Sequence, residues 1–211
     1  MNIEEFIKKS PKAELHLHIE GTLEPELMFF LAKRNNIKIP FKNIDDVKKA
    51  YNFNNLDSFL KIYYEGAKVL IKEEDFFDLT WAYILKCKED NIVHTEIFFD
   101  PQTHTDRGVD FDIVINGIFK ALKKAEKDFG LSFKIIMCFL RHLSEDECFK
   151  ILDKALAHKD KIYGVGLDSS EKGNPPKKFE KLFKKALENE FITVAHAGEE
   201  GPPEYIWEAL N

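Results

Sequence analysis

The sequence predicts an α/β protein built as a parallel (β/α)8 TIM-type barrel, and two patterns support that prediction. Five short runs are almost continuously apolar, which is typical of strands that are buried on both faces of a parallel sheet. These runs are 14–19, 92–99, 133–140, 162–167 and 191–195. Segments with helical spacing lie between them, and strand–helix alternation of this kind predicts right-handed β/α units.

The first two predicted strands are separated by a much longer stretch of chain than the later ones. Three amphipathic segments of helical character occupy this stretch: 25–35, 56–70 and 74–88. No linker rich in glycine, serine or proline flanks them. We therefore interpret the stretch as a helical excursion that covers one rim of a single domain, which spans residues 1–211.

The later strands recur about every 30 residues, with one helix following each strand. The segment 112–127 is the helix after the second strand, and 144–157 follows the third, opening with a capping box at Ser144-Glu145-Asp146-Glu147. Residues 202–211 resemble the start of a fifth helix. Since a complete barrel has eight units, we expect the domain to be truncated after about five of them and incomplete at its carboxyl end.

The candidate chemical residues all lie at the carboxyl ends of predicted strands. They are His16 and His18 on the first strand, Asp100 after the second, Asp168 after the fourth and His196 after the fifth. Both (β/α)8 barrels and doubly wound sheets place their active sites at this edge. The sequence contains no Gly-x-Gly-x-x-Gly motif or phosphate-binding loop, which favours the barrel.

His16 and His18 predict a metal site, because residues i and i+2 of a strand point to the same face. His196 is a candidate third ligand, and Glu199 follows it across a glycine turn. Three protein ligands, a water molecule and an acid are the groups that metal-assisted hydrolysis uses. The alternative for the histidines is a solvated strand face, and that for Glu199 is a carboxylate stabilised by a helix start near Pro202.

Composition excludes several classes of protein. The net charge of −6, with both signs interspersed, argues against a general nucleic-acid binder. The three cysteines, Cys87, Cys138 and Cys148, lack C-x-x-C spacing, which indicates a reduced intracellular compartment. No secretory signal begins the chain, and no run approaches the roughly 18–20 apolar residues of a membrane span. We expect a cytoplasmic protein without membrane or nucleic-acid partners; a nuclear location stays open for a eukaryotic source.

The histidine motifs lie within longer stretches that are similar to a known family. These stretches are 11–23 around His16-Leu17-His18, 98–105, 166–171, and the turn His196-Ala197-Gly198-Glu199. On these residues the sequence resembles the adenosine/adenine deaminase family of metal-dependent aminohydrolases, and most of all its adenine deaminase branch. The resemblance implies a (β/α)8 barrel with one catalytic zinc ion per subunit. It also implies that His16, His18 and His196 are the zinc ligands and that Glu199 is the catalytic proton donor.

The same resemblance implies a reaction: zinc-dependent hydrolytic deamination of adenine to hypoxanthine and ammonia, as part of purine salvage. Its partner is a small-molecule purine, and a homo-oligomer stays open. Zinc lowers the pKa of a bound water to about 7, and attack at C6 of the purine needs a proton at N1, which Glu199 would deliver. The family also uses a later histidine and an Asp-Asp pair. These lie beyond Asn211, so we expect the 211-residue chain by itself to be inactive.

Three further residues are candidate substrate contacts: Glu20, Asp168 and Ser169. Glu20 reaches over the substrate or pairs with a rim lysine, and Asp168 contacts the substrate or caps a loop. Ser169-Ser170-Glu171 replaces the Leu-Ala-Gly turn of adenosine-type members and puts side chains where a sugar would pass, which favours the free base. The alternatives are an adenosine or modified-adenine nucleoside or nucleotide deaminase, and a catalytically inactive fragment that only binds metal or purine.

Aromatic residues of the excursion need a separate interpretation. Phe59, Tyr63, Tyr64 and Trp81 occur at helical spacing. Aromatic residues with this spacing more often belong to a core than to a platform for a purine ring, so we interpret them as core residues. The alternative is that the helices of the excursion form a lid over the site.

Overall fold

The computed structural model describes residues 2–211 and confirms the predicted α/β class. Within those residues, five parallel strands form one sheet in the order of the chain. Their bounds are β1 Lys12–His18, β2 Ile92–Phe99, β3 Ser132–Leu140, β4 Gly164–Asp168 and β5 Ile192–Thr193. Because every strand is parallel to its neighbours, all five carboxyl ends lie along the same edge of the sheet, where the candidate residues follow them.

The last strand is shorter than predicted. Instead of the whole apolar run 191–195, only Ile192 and Thr193 pair with β4 as a regular ladder. Beyond them the chain keeps two single backbone hydrogen bonds, from Val194 N–H to Val165 O at 3.0 Å and from His196 N–H to Leu167 O at 2.9 Å. These bonds hold the chain beside β4 as far as His196, so this histidine lies at the carboxyl edge although it is outside the strand.

The predicted helical excursion lies between β1 and β2. Helix α1, Ile3–Lys9, precedes β1, and the excursion consists of α2 Pro25–Arg34, α3 Ile44–Ala50, α4 Leu56–Ala67 and α5 Glu73–Glu89. Helix α3 is absent from the prediction: it has seven residues and buries only Val47, so its sequence shows little amphipathic pattern. Within the excursion, α4 contacts the 3-10 turn Ile19–Thr22 that follows β1, at the carboxyl edge of the sheet, whereas α5 packs against β2.

Five α-helices follow β2 in the described part of the chain. The second, third and fifth lie close to the predicted segments 112–127, 144–157 and 202–211, while the sequence predicts no bounds for the first and fourth. They are α6 Pro101–Thr105, α7 Phe111–Phe129, α8 Glu145–Leu156, α9 Glu180–Glu188 and α10 Pro203–Leu210. The predicted capping box of α8 is confirmed, since the Ser144 hydroxyl accepts the Glu147 N–H and the Glu147 carboxylate accepts the Ser144 N–H. None of the helices in residues 2–211 is both long enough and apolar enough to cross a membrane.

The apolar core lies mostly between the sheet and the helices that cover its outer face. Strand β3 is an example. Its six consecutive residues 135–140 are all buried, as expected for a strand that is covered on both faces. Phe76 on α5 and Phe111 on α7 are among the largest fully buried side chains. This packing fixes the strands, and with them the positions of the residues that follow each strand.

Candidate active site

A cavity of about 330 Å³ opens at the carboxyl edge of the sheet. Its floor is formed by residues that end β1 and follow β2, β4 and β5, and its wall by α4 of the excursion. The polar residues that line it are His16, His18, Asp100, Asp168, Ser169, His196 and Glu199, besides Thr22 and two tyrosines. Most of the residues predicted from strand ends therefore meet in one cavity.

Three imidazole rings converge at the base of this cavity. The Nε2 atom of His196 lies 3.1 Å from Nε2 of His16 and 3.2 Å from Nε2 of His18. The pairing of β1 with β2 is irregular between Glu14 and Leu17, beside His16, and such irregularities re-aim side chains next to functional sites. Two of these histidines, His16 and His196, are 180 residues apart in sequence.

The spacing of these nitrogens fits a bound zinc ion. Two imidazole ligands at about 2.0–2.1 Å from zinc lie roughly 3.3–3.4 Å apart at tetrahedral angles, close to the separations found here. A neutral imidazole has one N–H, so Nε2 of His196 cannot form good hydrogen bonds to two other Nε2 atoms at once. A shared cation that accepts all three lone pairs satisfies this arrangement, and the three histidines form a group whose donor atoms can hold a metal.

The ionisation of the histidines supports a ligand role. Burial, together with the neighbouring His18 and His16, lowers the pKa of His196 to about 4. Burial and His18 also lower the pKa of His16. Both rings are therefore neutral near pH 7, which is the form that binds metals. Burial also acts to lower the pKa of His18, but hydrogen bonding and charge from Asp100 outweigh it and raise that pKa.

His18 is oriented by two buried carboxyl groups. Its Nδ1 lies 3.8 Å from Oδ1 of Asp100 and 3.4 Å from Oδ2 of Asp168. A hydrogen on Nδ1 that faces these oxygens leaves the Nε2 lone pair free for a metal, as is usual for the partners of metal-binding histidines. The structure thus places Asp168, a predicted substrate contact, where it both lines the cavity and faces His18.

Asp100 and Asp168 differ in ionisation. Burial and the charge of Asp100 raise the pKa of Asp168 well above its usual value. Burial opposes ionisation of Asp100 as well, but hydrogen bonds from His18 and Asp168 lower its pKa. The Tyr63 hydroxyl also donates to Asp100 Oδ2 at 2.9 Å. These directions indicate that the pair shares a proton, which Asp168 holds more readily than Asp100 does.

Glu20, the second predicted substrate contact, lies one layer below the cavity. It belongs to a 3-10 turn, Ile19–Thr22, and its side chain is fully buried. Its carboxylate accepts the Asp100 N–H at 3.0 Å, and it is 3.0 Å from Nε2 of His104 and 3.2 Å from the Tyr63 hydroxyl. Glu20 therefore lies beneath the cavity lining and helps to hold Asp100, which does line the cavity.

The aromatic residues of α4 form the cavity wall. Phe59, Tyr63 and Tyr64 line the cavity together with Leu56 and Leu60 of the same helix. Tyr63 is buried, as the core interpretation predicts, but all three aromatic residues of α4 also line the cavity, which agrees with the alternative of a helical lid. Periodicity shows that one face of a helix is apolar, but it does not show whether that face meets a core or a cavity. Trp81 lies elsewhere and packs on Phe77 and Phe129.

Ser169, the third predicted substrate contact, lines the cavity and is held by two hydrogen-bond partners. Its hydroxyl accepts a hydrogen bond from the Tyr64 hydroxyl at 2.8 Å and lies 2.8 Å from Nδ1 of His142. Its backbone has φ = +73°, a left-handed conformation that favours glycine and persists where surrounding contacts hold it. His142 lies two residues after the end of β3, so it too belongs to the carboxyl edge of the sheet.

Glu199 lies at the mouth of the cavity. Half of its side-chain surface is exposed, and its Oε2 lies 3.8 Å from Nδ1 of His196. Gly198, with φ = +79°, makes the turn that brings the carboxylate back toward the histidines. Of the predicted trio Ser169-Ser170-Glu171, only Ser169 lines the cavity, because Glu171 is buried against the turn that carries Glu199.

Comparison with known proteins gives a consistent set of relatives. The family model described as adenosine deaminase matches residues 11–211. Adenine deaminase from Acinetobacter baylyi is 64% identical over 211 residues, which is 100% of this chain and 64% of the relative. Adenine deaminase from Wolinella succinogenes is 63% identical over 209 residues, covering 99% of this chain and 63% of the relative. The chain thus spans less than two thirds of the length of these curated relatives.

Solved structures give the same picture. Adenine deaminase from Arthrobacter aurescens superposes with a TM-score of 0.92 at 50% identity, covering 95% of this chain and 62% of that protein. A cog1816 amidohydrolase from Burkholderia ambifaria, solved with bound Zn, superposes with a TM-score of 0.88 at 26% identity, covering 100% of this chain and 59% of that protein. The five-stranded sheet and its helices therefore follow the architecture of these two proteins.

Proposed function

The chain belongs to the adenosine deaminase family, and we propose that its site serves, in the whole protein, the zinc-dependent hydrolysis of adenine to hypoxanthine and ammonia. The observation that supports this most directly is the convergence of three imidazole nitrogens, with Nε2 of His196 3.1 and 3.2 Å from the other two, in a cavity that Glu199 also lines. The choice of adenine rests on relatives named adenine deaminase, which are 58–65% identical to this chain. The choice of zinc rests on the donor set and on the related amidohydrolase with bound Zn.

His16, His18 and His196 would hold the metal. When bound at such a site, zinc makes water nucleophilic near neutral pH. The contribution of the chain is to hold the three rings in their ligand form. Burial keeps His16 and His196 neutral by lowering the pKa of each, while the carboxyl groups of Asp100 and Asp168 face Nδ1 of His18 and leave its Nε2 free.

Glu199 has the role of moving the proton. In the overall reaction an oxygen from water bonds to C6 of adenine, the bond between C6 and the exocyclic nitrogen breaks, and ammonia leaves. Addition at C6 interrupts the aromaticity of the ring, so a proton has to reach N1 as the bond forms. We assign this proton transfer to Glu199, because it lines the cavity and its Oε2 lies 3.8 Å from Nδ1 of His196.

The wall of α4 suits a flat heterocycle. Phe59, Tyr63 and Tyr64 offer aromatic faces, and the cavity combines this apolar wall with a few convergent polar groups, as small-molecule sites do. Tyr63 and Tyr64 are protonated donors, because burial raises the pKa of both hydroxyls. Tyr64 and His142 both contact the Ser169 hydroxyl, so this part of the cavity lining is held by two partners.

This part of the cavity lining leads to a prediction about selectivity. We expect kcat/KM for adenine to exceed that for adenosine by about 100-fold or more, on the proposal that a sugar on the purine would meet Ser169, whose hydroxyl is held by Tyr64 and His142. Steady-state ammonia release from both substrates by the intact protein measures the ratio. A preference for adenosine would overturn the assignment to the free base.

A pair of variants locates the origin of the selectivity. Ser169→Gly removes the fixed hydroxyl and suits φ = +73°, so it should raise the adenosine-to-adenine ratio by about 10-fold. Ser170→Gly is the matched control, because Ser170 is not among the lining residues of the described cavity. Equal ratios for the two variants would show that Ser169 does not set the selectivity.

A further inference from the structure

The turn that carries Glu199 is held by a carboxylate from a different strand loop. Glu171 follows β4, and its side chain is 1% exposed. Its Oε1 accepts the Gly198 N–H at 2.7 Å, and its Oε2 accepts the N–H groups of Glu200 and Gly201 at 2.6 and 2.7 Å. Three backbone donors on both sides of Glu199 are therefore satisfied by one side chain.

The turn is shaped to receive this carboxylate. Gly201 approaches Glu171 so closely that an added Cβ would lie 3.1 Å from the carboxyl carbon and 2.4 Å from the Tyr205 ring. Gly198 has φ = +79°, and an added Cβ there would lie 2.7 Å from Ile206. Glycine at both positions lets the backbone N–H groups reach the carboxylate, so the turn and Glu171 form one unit.

Arg141 connects the same carboxylate to His196. Its side chain is fully buried, and Nη1 lies 3.7 Å from Oε1 of Glu171. The same Nη1 donates to the backbone carbonyl of His196 at 2.7 Å, while Nε donates to the carbonyl of Asn174. Burial opposes ionisation of Glu171, but the three backbone hydrogen bonds lower its pKa, so the pair is charged near pH 7.

We propose that Glu171 is a positioning residue that sets the turn between His196 and Gly201, and so places both the metal-site imidazole and the carboxylate of Glu199. Arg141 supports this arrangement, because its positive charge balances that of the Glu171 carboxylate and its Nη1 donates to the His196 carbonyl. This role rests on the proposed function, since it gives His196 and Glu199 the tasks of ligand and proton donor. Glu171 touches neither the cavity nor the reacting atoms, so it acts only through the turn.

The test compares two buried carboxylates with similar surroundings. Asp75 is also fully buried, accepts the N–H groups of Ile71 and Lys72, and pairs with Arg34, but it lies at the start of α5, away from the cavity. Glu171→Gln and Asp75→Asn each replace a carboxylate with its nearly isosteric amide. Both should lower thermal stability, whereas only Glu171→Gln should weaken zinc binding, by about 10-fold, and lower kcat for adenine at saturating zinc by about 10–100-fold.

A double variant separates positioning from general damage. In a Glu199→Gln background, adding Glu171→Gln should lower kcat by less than about 3-fold, because residues that act as a unit are not additive. A further loss as large as that of Glu171→Gln alone would overturn the proposal. A wild-type protein that releases no ammonia from adenine would contradict the proposed function instead. Zinc affinity then decides the role of Glu171: a weaker affinity than in Asp75→Asn supports it, and an equal affinity contradicts it.

Discussion

The His16→Ala variant is expected to lose zinc and catalytic turnover together. Removing one of three converging imidazoles leaves two ligands from this cluster, which cannot complete the set that fits the ion. We expect zinc affinity to fall by more than about 100-fold, since even the hydrogen-bond partners of metal ligands are worth 10–100-fold. Metal analysis of the dialysed intact protein and the rate of ammonia release from adenine measure the two effects.

His94→Ala is the matched control for this variant. His94 also lies on a strand of the sheet, β2, but its ring is next to Ser132 and Glu96 and does not line the cavity. The control should keep both zinc and turnover. Undiminished zinc in His16→Ala would remove His16 from the metal site and leave the solvated strand face as the explanation of the histidine pair.

The Glu199→Gln variant is expected to keep zinc and to bind adenine, but to lose most of kcat. The amide has nearly the same shape as the carboxyl group and cannot deliver a proton to N1, and general acid catalysis is worth about 10²–10⁴-fold. Because Glu199 lies at the cavity mouth with half of its side chain exposed, the substitution should leave the fold unchanged. Steady-state kinetics with adenine and metal analysis of the same preparation give the two quantities.

Glu200→Gln tests whether position in the turn alone explains that loss. Glu200 is the next residue, and its carboxylate lies 3.4 Å from Nζ of Lys172, outside the cavity lining. We expect its kcat to stay within about 3-fold of the wild type. Near wild-type turnover in Glu199→Gln would return Glu199 to the alternative role of stabilising the helix start beyond Pro202.

The sequence was sufficient to predict how the sheet gathers the candidate residues. A strand repeats every two residues, so His16 and His18 share a face, and parallel strands bring all their carboxyl ends to one edge. Those two rules place His18, Asp100 and Asp168 within reach of one another, although they follow three different strands. They do not require any knowledge of which helix covers which strand.

Other parts of the site depend on contacts that leave no local pattern. Glu171 and Arg141 meet across 30 residues of chain only because β3 and β4 are neighbours, and nothing near either residue in sequence indicates a partner. Helix α4 has one apolar face whether it packs on a core or lines a cavity, so the role of Tyr64 becomes visible only when its hydroxyl meets Ser169. The position of Glu20 two residues after His18 does not indicate that its side chain lies beneath the cavity lining and contacts Asp100.

The most direct test of the proposed function is a zinc titration of the metal-free intact protein with adenine as the substrate. Hypoxanthine and ammonia should form in equal amounts, and the rate should rise with added zinc and level off at one equivalent per subunit. This result is expected because one group of three imidazoles, His16, His18 and His196, has the geometry of a single site. Absence of ammonia at every zinc concentration, or turnover that is unchanged by removal of the metal, would contradict the assignment.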